Sequence, residues 1–198
     1  MEQAIAHLSD DEKLRFVLEN FGQPYIQKRE EGFAALSHII LEQQVSIASA
    51  KACYLKIGEK LGQITPEAIL SASDELLRSC GVSRQKMLYL KGLAKMVLDG
   101  TLDFSTFSGK TEAQIREELL AVKGVGNWSV EVYLMFCLQS QDIIPLGDIA
   151  IRHAIRELYG LQTVEEMASL SESWKPFRTY ASYVLWHYYL EKRGRKPV

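Results

Sequence analysis

The chain has 198 residues, 47% of them hydrophobic and 24% charged, which is enough apolar material for a full core and too little polar bias for disorder. A formal net charge of −2 excludes a general polyanion binder, so any nucleic-acid contact must be local. Cys53, Cys80 and Cys137 lie far apart, without a CxxC or Cys/His cluster, and support neither a disulfide framework nor a zinc or iron–sulfur site. No apolar run reaches the roughly eighteen residues of a membrane span. The acidic start MEQAIAHLSDDEK lacks a signal-peptide core, so a soluble, non-secreted protein is expected.

Helical periodicity covers almost every segment and predicts an all-α fold. Ser9 with Glu12 has the pattern of a capping box, opening a helix with Leu14, Val17, Leu18 and Phe21 on its apolar face and an end near Gly22-Gln23-Pro24. Phe33, Leu36, Ile39 and Ile40 mark a helix from about Glu30 to Gln44. Ser46 caps the next, which runs to Leu61 and stops at Gly62, so Gln43-Gln44-Val45 is a junction. Thr65-Pro66-Glu67 starts a short helix, and Ser73 and Ser83 cap two more. In the Ser83 helix, Met87, Leu90, Ala94, Val97 and Leu98 form the core stripe. Asp99 to Gly109 reads as a loop. Thr111 with Gln114 is a second capping box, leading into Ile115, Leu119 and Leu120.

The stretch LLAVKGVGNWSVEVYL, Leu119 to Leu134, interrupts that helix at Gly124-Val125-Gly126 and resumes it from about Asn127 to Leu138. Two glycines one residue apart permit a tight turn and leave bare N–H groups at the start of the second helix, where they and the helix dipole can hold a phosphate. The spacing reads as a helix-hairpin-helix, a non-specific grip on a DNA backbone. The eight residues from Ser140 to Gly147 can span about 26 Å against roughly 18 Å for the second arm, so the chain can return. That permits Asp148, in PLGDIAIRHAI, to stand beside Trp128.

Asp148 is an N-cap candidate for a helix from Ile149 to Tyr159, and N–H donors there favour the charged carboxylate needed to face a developing cation. A short helix follows from Thr163 to Leu170, then a long one from Trp174 to about Lys192. Trp174, Phe177, Ala181, Val184, Leu185 and Tyr188 share one face of it; Tyr183, Trp186 and Leu190 point the other way. A local basic patch would draw on Lys51, Lys56, Arg84, Lys86, Lys123, Arg152 and the tail Lys192-Arg193-Gly194-Arg195-Lys196.

Taken together, GVGNW, PLGD about twenty residues later, the run from Trp174 to Ala181 with Leu185-Trp186, LEQQVSIASAKA at residues 41–52 and GVSRQKMLYLKGLA closely resemble the helix-hairpin-helix (HhH-GPD) glycosylase superfamily, in its 3-methyladenine DNA glycosylase II branch. The resemblance spans roughly residues 30–190. Lys123 stands where that family often has proline and Ala150 where glycine is frequent, which puts hairpin rigidity and local packing in question. The resemblance implies a single 1–198 domain of two helical lobes with the active-site cleft between them. Those lobes are expected at roughly 25–110 and 111–198, with the N-terminal helix on the second.

By the same resemblance Asp148 is the catalytic carboxylate, Trp128 and Trp186 wall the base pocket, and Gln44 is the wedge that fills the gap left by a flipped base. Gly124, Val125, Gly126, Asn127 and Lys123 meet the DNA backbone. The implied reaction is hydrolysis of the N-glycosidic bond of an alkylated purine in double-stranded DNA. Relatives with lyase activity carry a lysine two residues after the second hairpin glycine; Trp128 occupies that position, which implies a monofunctional enzyme. No cofactor or iron–sulfur cluster is expected, and no side-chain metal site. A structural monovalent or divalent cation on the backbone carbonyls of Leu120, Val122 and Val125 is compatible with the family. A monomer is expected, cytoplasmic or nucleoid-associated in a bacterium, nuclear in a eukaryote. Two alternatives remain open: a non-catalytic helix-hairpin-helix DNA-binding module, and a glycosylase for deaminated or etheno bases.

Overall fold

The computed structural model describes residues 2–195; Lys196 of the basic tail lies outside the described residues. The described chain is all-α, with helices α1 (Glu2–Leu8), α2 (Glu12–Phe21), α3 (Phe33–Glu42), α4 (Ile47–Leu61), α5 (Pro66–Ser71), α6 (Asp74–Ser79), α7 (Arg84–Leu98), α8 (Glu112–Leu120), α9 (Asn127–Phe136), α10 (Ile149–Tyr159), α11 (Val164–Ser171) and α12 (Arg178–Glu191). Short 3₁₀ segments cover Phe104–Gly109 and Glu172–Trp174.

Local chemistry sets most of the starts. Ser46, Thr65, Ser73 and Ser83 each accept a backbone N–H at the head of α4, α5, α6 and α7. Thr111 with Gln114 and Thr163 with Glu166 form reciprocal capping boxes on α8 and α11.

Five expectations are corrected. Ser9 is not the cap of α2: its hydroxyl turns back to Ile5 O at 2.7 Å, and Asp11 caps instead, accepting from Lys13 and Leu14 N–H. The third helix begins at Phe33 rather than Glu30, because Gly32 before it takes φ 123°, outside helical space. The expected 99–109 loop contains a 3₁₀ turn because Phe104 and Phe107 are both buried, packed edge to face at 5.3 Å. The last helix begins at Arg178 rather than Trp174, since Pro176 restricts Lys175 to extended backbone. In α7, Leu98 is exposed and Leu93 buried, so the core stripe lies slightly off the expected one.

The described residues form two compact units, one of residues 2–28 with 134–195, the other Arg29–Tyr133. In the first, α12 packs against α2, α10 and α1. Asp11 ties the same unit together, accepting from Tyr159 OH at 2.7 Å and from the indole N–H of buried Trp174 at 2.9 Å. In the second, α7 packs against α3 and α5, and α3 against α4, around Leu36, Ile39, Ile40, Ile57, Ile69 and Leu90. The boundary falls within α9, so α8 groups with residues 29–133 where the sequence placed it with the C-terminal lobe. Hydrogen bonds from Gln43 to Gly124 O and Ser129 Oγ, and from Gly32 N–H to Tyr133 OH, account for that grouping.

Candidate active site

In the unit holding residues 134 onward, the first turns of α12 fix the segment that returns from α9. Thr179 N–H donates to Gln141 O (3.0 Å), and its hydroxyl donates to Ser140 O (2.7 Å) while accepting from Ile143 N–H (2.9 Å). Ser182 Oγ donates to Ile143 O (3.1 Å), and Arg178 grips the Asp142 carboxylate through Nε and Nη2 at 2.7 and 2.8 Å. This anchored segment delivers Asp148 to the head of α10.

Asp148 caps α10, and its Oδ1 accepts Ala150 N–H at 2.8 Å, Ile151 N–H at 3.1 Å and the indole N–H of Trp186 at 3.1 Å. Three donors on one oxygen hold the carboxylate plane. Alanine at 150 still supplies its N–H, so departure from the family's glycine leaves this contact intact. Trp186 lies two turns beyond Thr179, so one helix both secures the loop and presents the indole. Its ring stacks on Phe136 with centroids 5.7 Å apart and planes 28° apart. Tyr183 tilts against both rings and donates its hydroxyl to Met135 O at 3.0 Å.

In the unit of residues 29–133, α8 and α9 are the hairpin arms, and buried Val122 and Val125 anchor the turn. Gly124 has φ 90°, and a Cβ there would run into the ring of Tyr89. Gly126 differs: a Cβ on it meets nothing within 4 Å, so the protein's own packing does not require glycine there. Lys123, Gly126 and Asn127 are exposed and Trp128 is half-buried in the first turn of α9. At the junction after α3, Gln44 is exposed and adopts φ 56°, with Val45 and Ile47 exposed beside it.

Among the sequence-predicted residues, Asp148 and Trp186 are in direct contact; Trp128, the hairpin and Gln44 belong to the other unit. The Trp186 hydrogen bond and the Phe136 stack were missed; the placement of Tyr183 and Trp186 on one side of the last helix was their only trace. The basic patch shrinks. Lys86 turns inward to the carbonyls of Leu41 and Gln43, while Lys192 and Arg193 pair with Glu157. Glu131 in α9 is pushed up to about 7 by burial, against the opposing charge of Arg116. Among the described residues no group of three or more His, Cys, Asp or Glu is placed to hold a metal, and Cys53, Cys80 and Cys137 are buried.

A family model described as HhH-GPD superfamily base excision DNA repair protein matches residues 37–178. DNA-3-methyladenine glycosylase 1 of Schizosaccharomyces pombe is 30% identical over 197 residues, covering 94% of this chain and 86% of that relative. The solved structure of S. pombe Mag1, a 3-methyladenine DNA glycosylase in complex with abasic DNA, matches with a TM-score of 0.86 and 30% identity over 93% of this chain and 95% of that one. A DNA-3-methyladenine glycosidase from Bacillus halodurans matches with a TM-score of 0.80 and 29% identity, over 98% of this chain and 92% of that one.

Proposed function

We propose, because this chain belongs to the HhH-GPD superfamily of base excision DNA repair proteins, that it is a DNA glycosylase removing alkylated purines such as 3-methyladenine from double-stranded DNA. The observation that carries the reading is Asp148, a carboxylate held by three donors at the head of α10. An alkylated ring nitrogen makes the purine cationic and a good leaving group. The C1′–N bond breaks with its electron pair going to the base, the sugar becomes an oxocarbenium-like cation, and water supplies the new C1′–O bond and loses a proton. Asp148 meets the sugar charge. A carboxylate fixed in place by Ala150, Ile151 and Trp186 N–H groups stabilises that charge without having to reorganise as it develops.

Trp128 stands where a lyase would need lysine, so the product is an abasic site in an unbroken strand. The hairpin N–H groups of Gly124, Gly126 and Asn127, with Lys123, hold a flanking phosphate, while Val125 N–H is committed to Val122 O and fixes the turn. The open space outside Gly126 supports a close backbone approach. Gln44, exposed at a junction, fills the gap left by the flipped base. Trp128 offers an electron-rich wall to a cationic base. Trp186 contributes chiefly its N–H to Asp148 and to the pocket only the ring surface that Phe136 and Tyr183 leave uncovered.

The carbonyls of Leu120, Val122 and Val125 are hard oxygen donors suited to a structural cation. Val122 O accepts Val125 N–H at 3.0 Å and retains a second lone pair, so the donor set fits such an ion, and no reaction step needs it.

Mass spectrometry of bases freed from a mixed-lesion duplex tests the reading. Release of alkylated purines is expected. Release of deaminated or etheno bases alone transfers the enzyme to another substrate class, and no release at all leaves a DNA-binding module.

A further inference from the structure

We propose that Gln43 and Lys86 form a clamp that locks the Gln44 junction to the hairpin, so that the side chain entering the duplex and the grip on the DNA backbone form one rigid piece. The inference rests on the glycosylase reading above. Its starting point is Gln44 itself, at φ 56°. A side-chain-bearing residue holds the left-handed region only when its surroundings impose it.

Three contacts impose it, and together they close a triangle. First, α3 ends at Glu42 and leaves carbonyls without intrahelical partners. The Lys86 ammonium takes two carbonyls at this end, Leu41 O at 2.7 Å and Gln43 O at 2.8 Å. Burial pushes the Lys86 amine below its usual range, as befits a cation withdrawn from solvent to bind carbonyls. Second, the Gln43 side-chain amide crosses to the hairpin, donating to Gly124 O at 2.8 Å and Ser129 Oγ at 2.9 Å. Third, Tyr89 lies three residues after Lys86 on α7, on the same face, and its ring fills the space where a Cβ on Gly124 would sit. Helix α7 thus holds the junction through Lys86 and backs the turn through Tyr89, while Gln43 joins junction to turn directly.

A wedge opens a base stack only if it is fixed relative to the strand it enters. If the hairpin carries that reference through its phosphate contact, loosening the clamp should impair extrusion of a paired lesion and spare a lesion that needs none. Gln43 and Lys86 are positioning residues in this scheme, touching neither the base nor the sugar.

The test compares single-turnover base release from a matched alkylated duplex and from the same lesion placed unpaired in a bulge, for wild type, Gln43→Leu, Lys86→Met and Lys86→Arg. Both clamp-breaking variants should lose about tenfold or more on the matched duplex, the scale of two neutral hydrogen bonds for Gln43→Leu and of bonds from a charged group for Lys86→Met, and less than about threefold on the bulge. Lys86→Arg, which keeps a cation and several donors, should recover most of the loss. Equal losses on both substrates, or none on either, overturn the clamp. So does failure of both Gln43→Leu and Lys86→Met to give a cooperative melt, since the pair would then be core rather than device. A wild-type protein that frees no base from either substrate overturns the glycosylase reading instead.

Discussion

Trp186 is held by its N–H on Asp148 and by its ring on Phe136 and Tyr183, and the polar and ring attachments can be separated by substitution. Trp186→Phe removes one of three donors to Oδ1 and keeps the stack. Single-turnover base release should fall about tenfold to a hundredfold, as expected for a hydrogen bond to a charged acceptor, with DNA affinity unchanged. Trp186→Ala should also lower the melting temperature, because it strips the ring from Phe136. Asp148 was legible as a cap from its own position, since capping acts over two or three residues. Its bond to Trp186 joins residues 38 apart and has no local signature. At Ser9 and Asp11 the difficulty was the opposite: two good capping residues stood two apart, and only the fold, through Tyr159 and Trp174, selects the aspartate.

At the scale of elements, the two hairpin glycines have different work, and their substitution should show it. Gly124→Ala forces an L side chain into φ 90° against Tyr89 and should cost about 1–3 kcal/mol of stability in denaturant melts. Gly126→Ala meets open space and should leave stability near wild type, while weakening binding to duplex DNA where the backbone comes close. The sequence marks both glycines alike, because the partner that separates them, Tyr89, comes from a different helix. The arms also carry a pH-dependent term. Glu131 rises from 4.5 to about 7 in the folded protein, chiefly by burial. Below about pH 4.5 both folded and unfolded states are protonated and there is no penalty. Between those values only the unfolded state ionises and stability falls as pH rises, reaching its full loss above 7. Glu131→Gln should therefore raise the melting temperature at pH 8 and match wild type near pH 4.

For the whole molecule, a net charge of −2 and the inward turn of Lys86 leave little for general phosphate binding. The logarithm of affinity for duplex DNA against that of salt should have a slope of only about −2 to −4, a few phosphates' worth. Caps and periodicity made the all-α class and most helix starts legible, because both are short-range. The grouping of α8 with residues 29–133 was not, because it depends on long-range bonds such as Gln43 to Gly124. Similarly, the sequence could identify Lys86 as a cation but not reveal that it faces inward. The central claim is that a fixed, charged Asp148 drives hydrolysis without a covalent DNA intermediate. Its most direct test is single-turnover release of 3-methyladenine from a duplex by wild type and Asp148→Asn, with borohydride present to trap any Schiff base. The predicted result is release by wild type with no trapped adduct, and a loss of about two to four powers of ten in the variant, which keeps the N-cap and the fold. Near-wild-type release by Asp148→Asn, or a borohydride-trapped protein–DNA adduct, would contradict it.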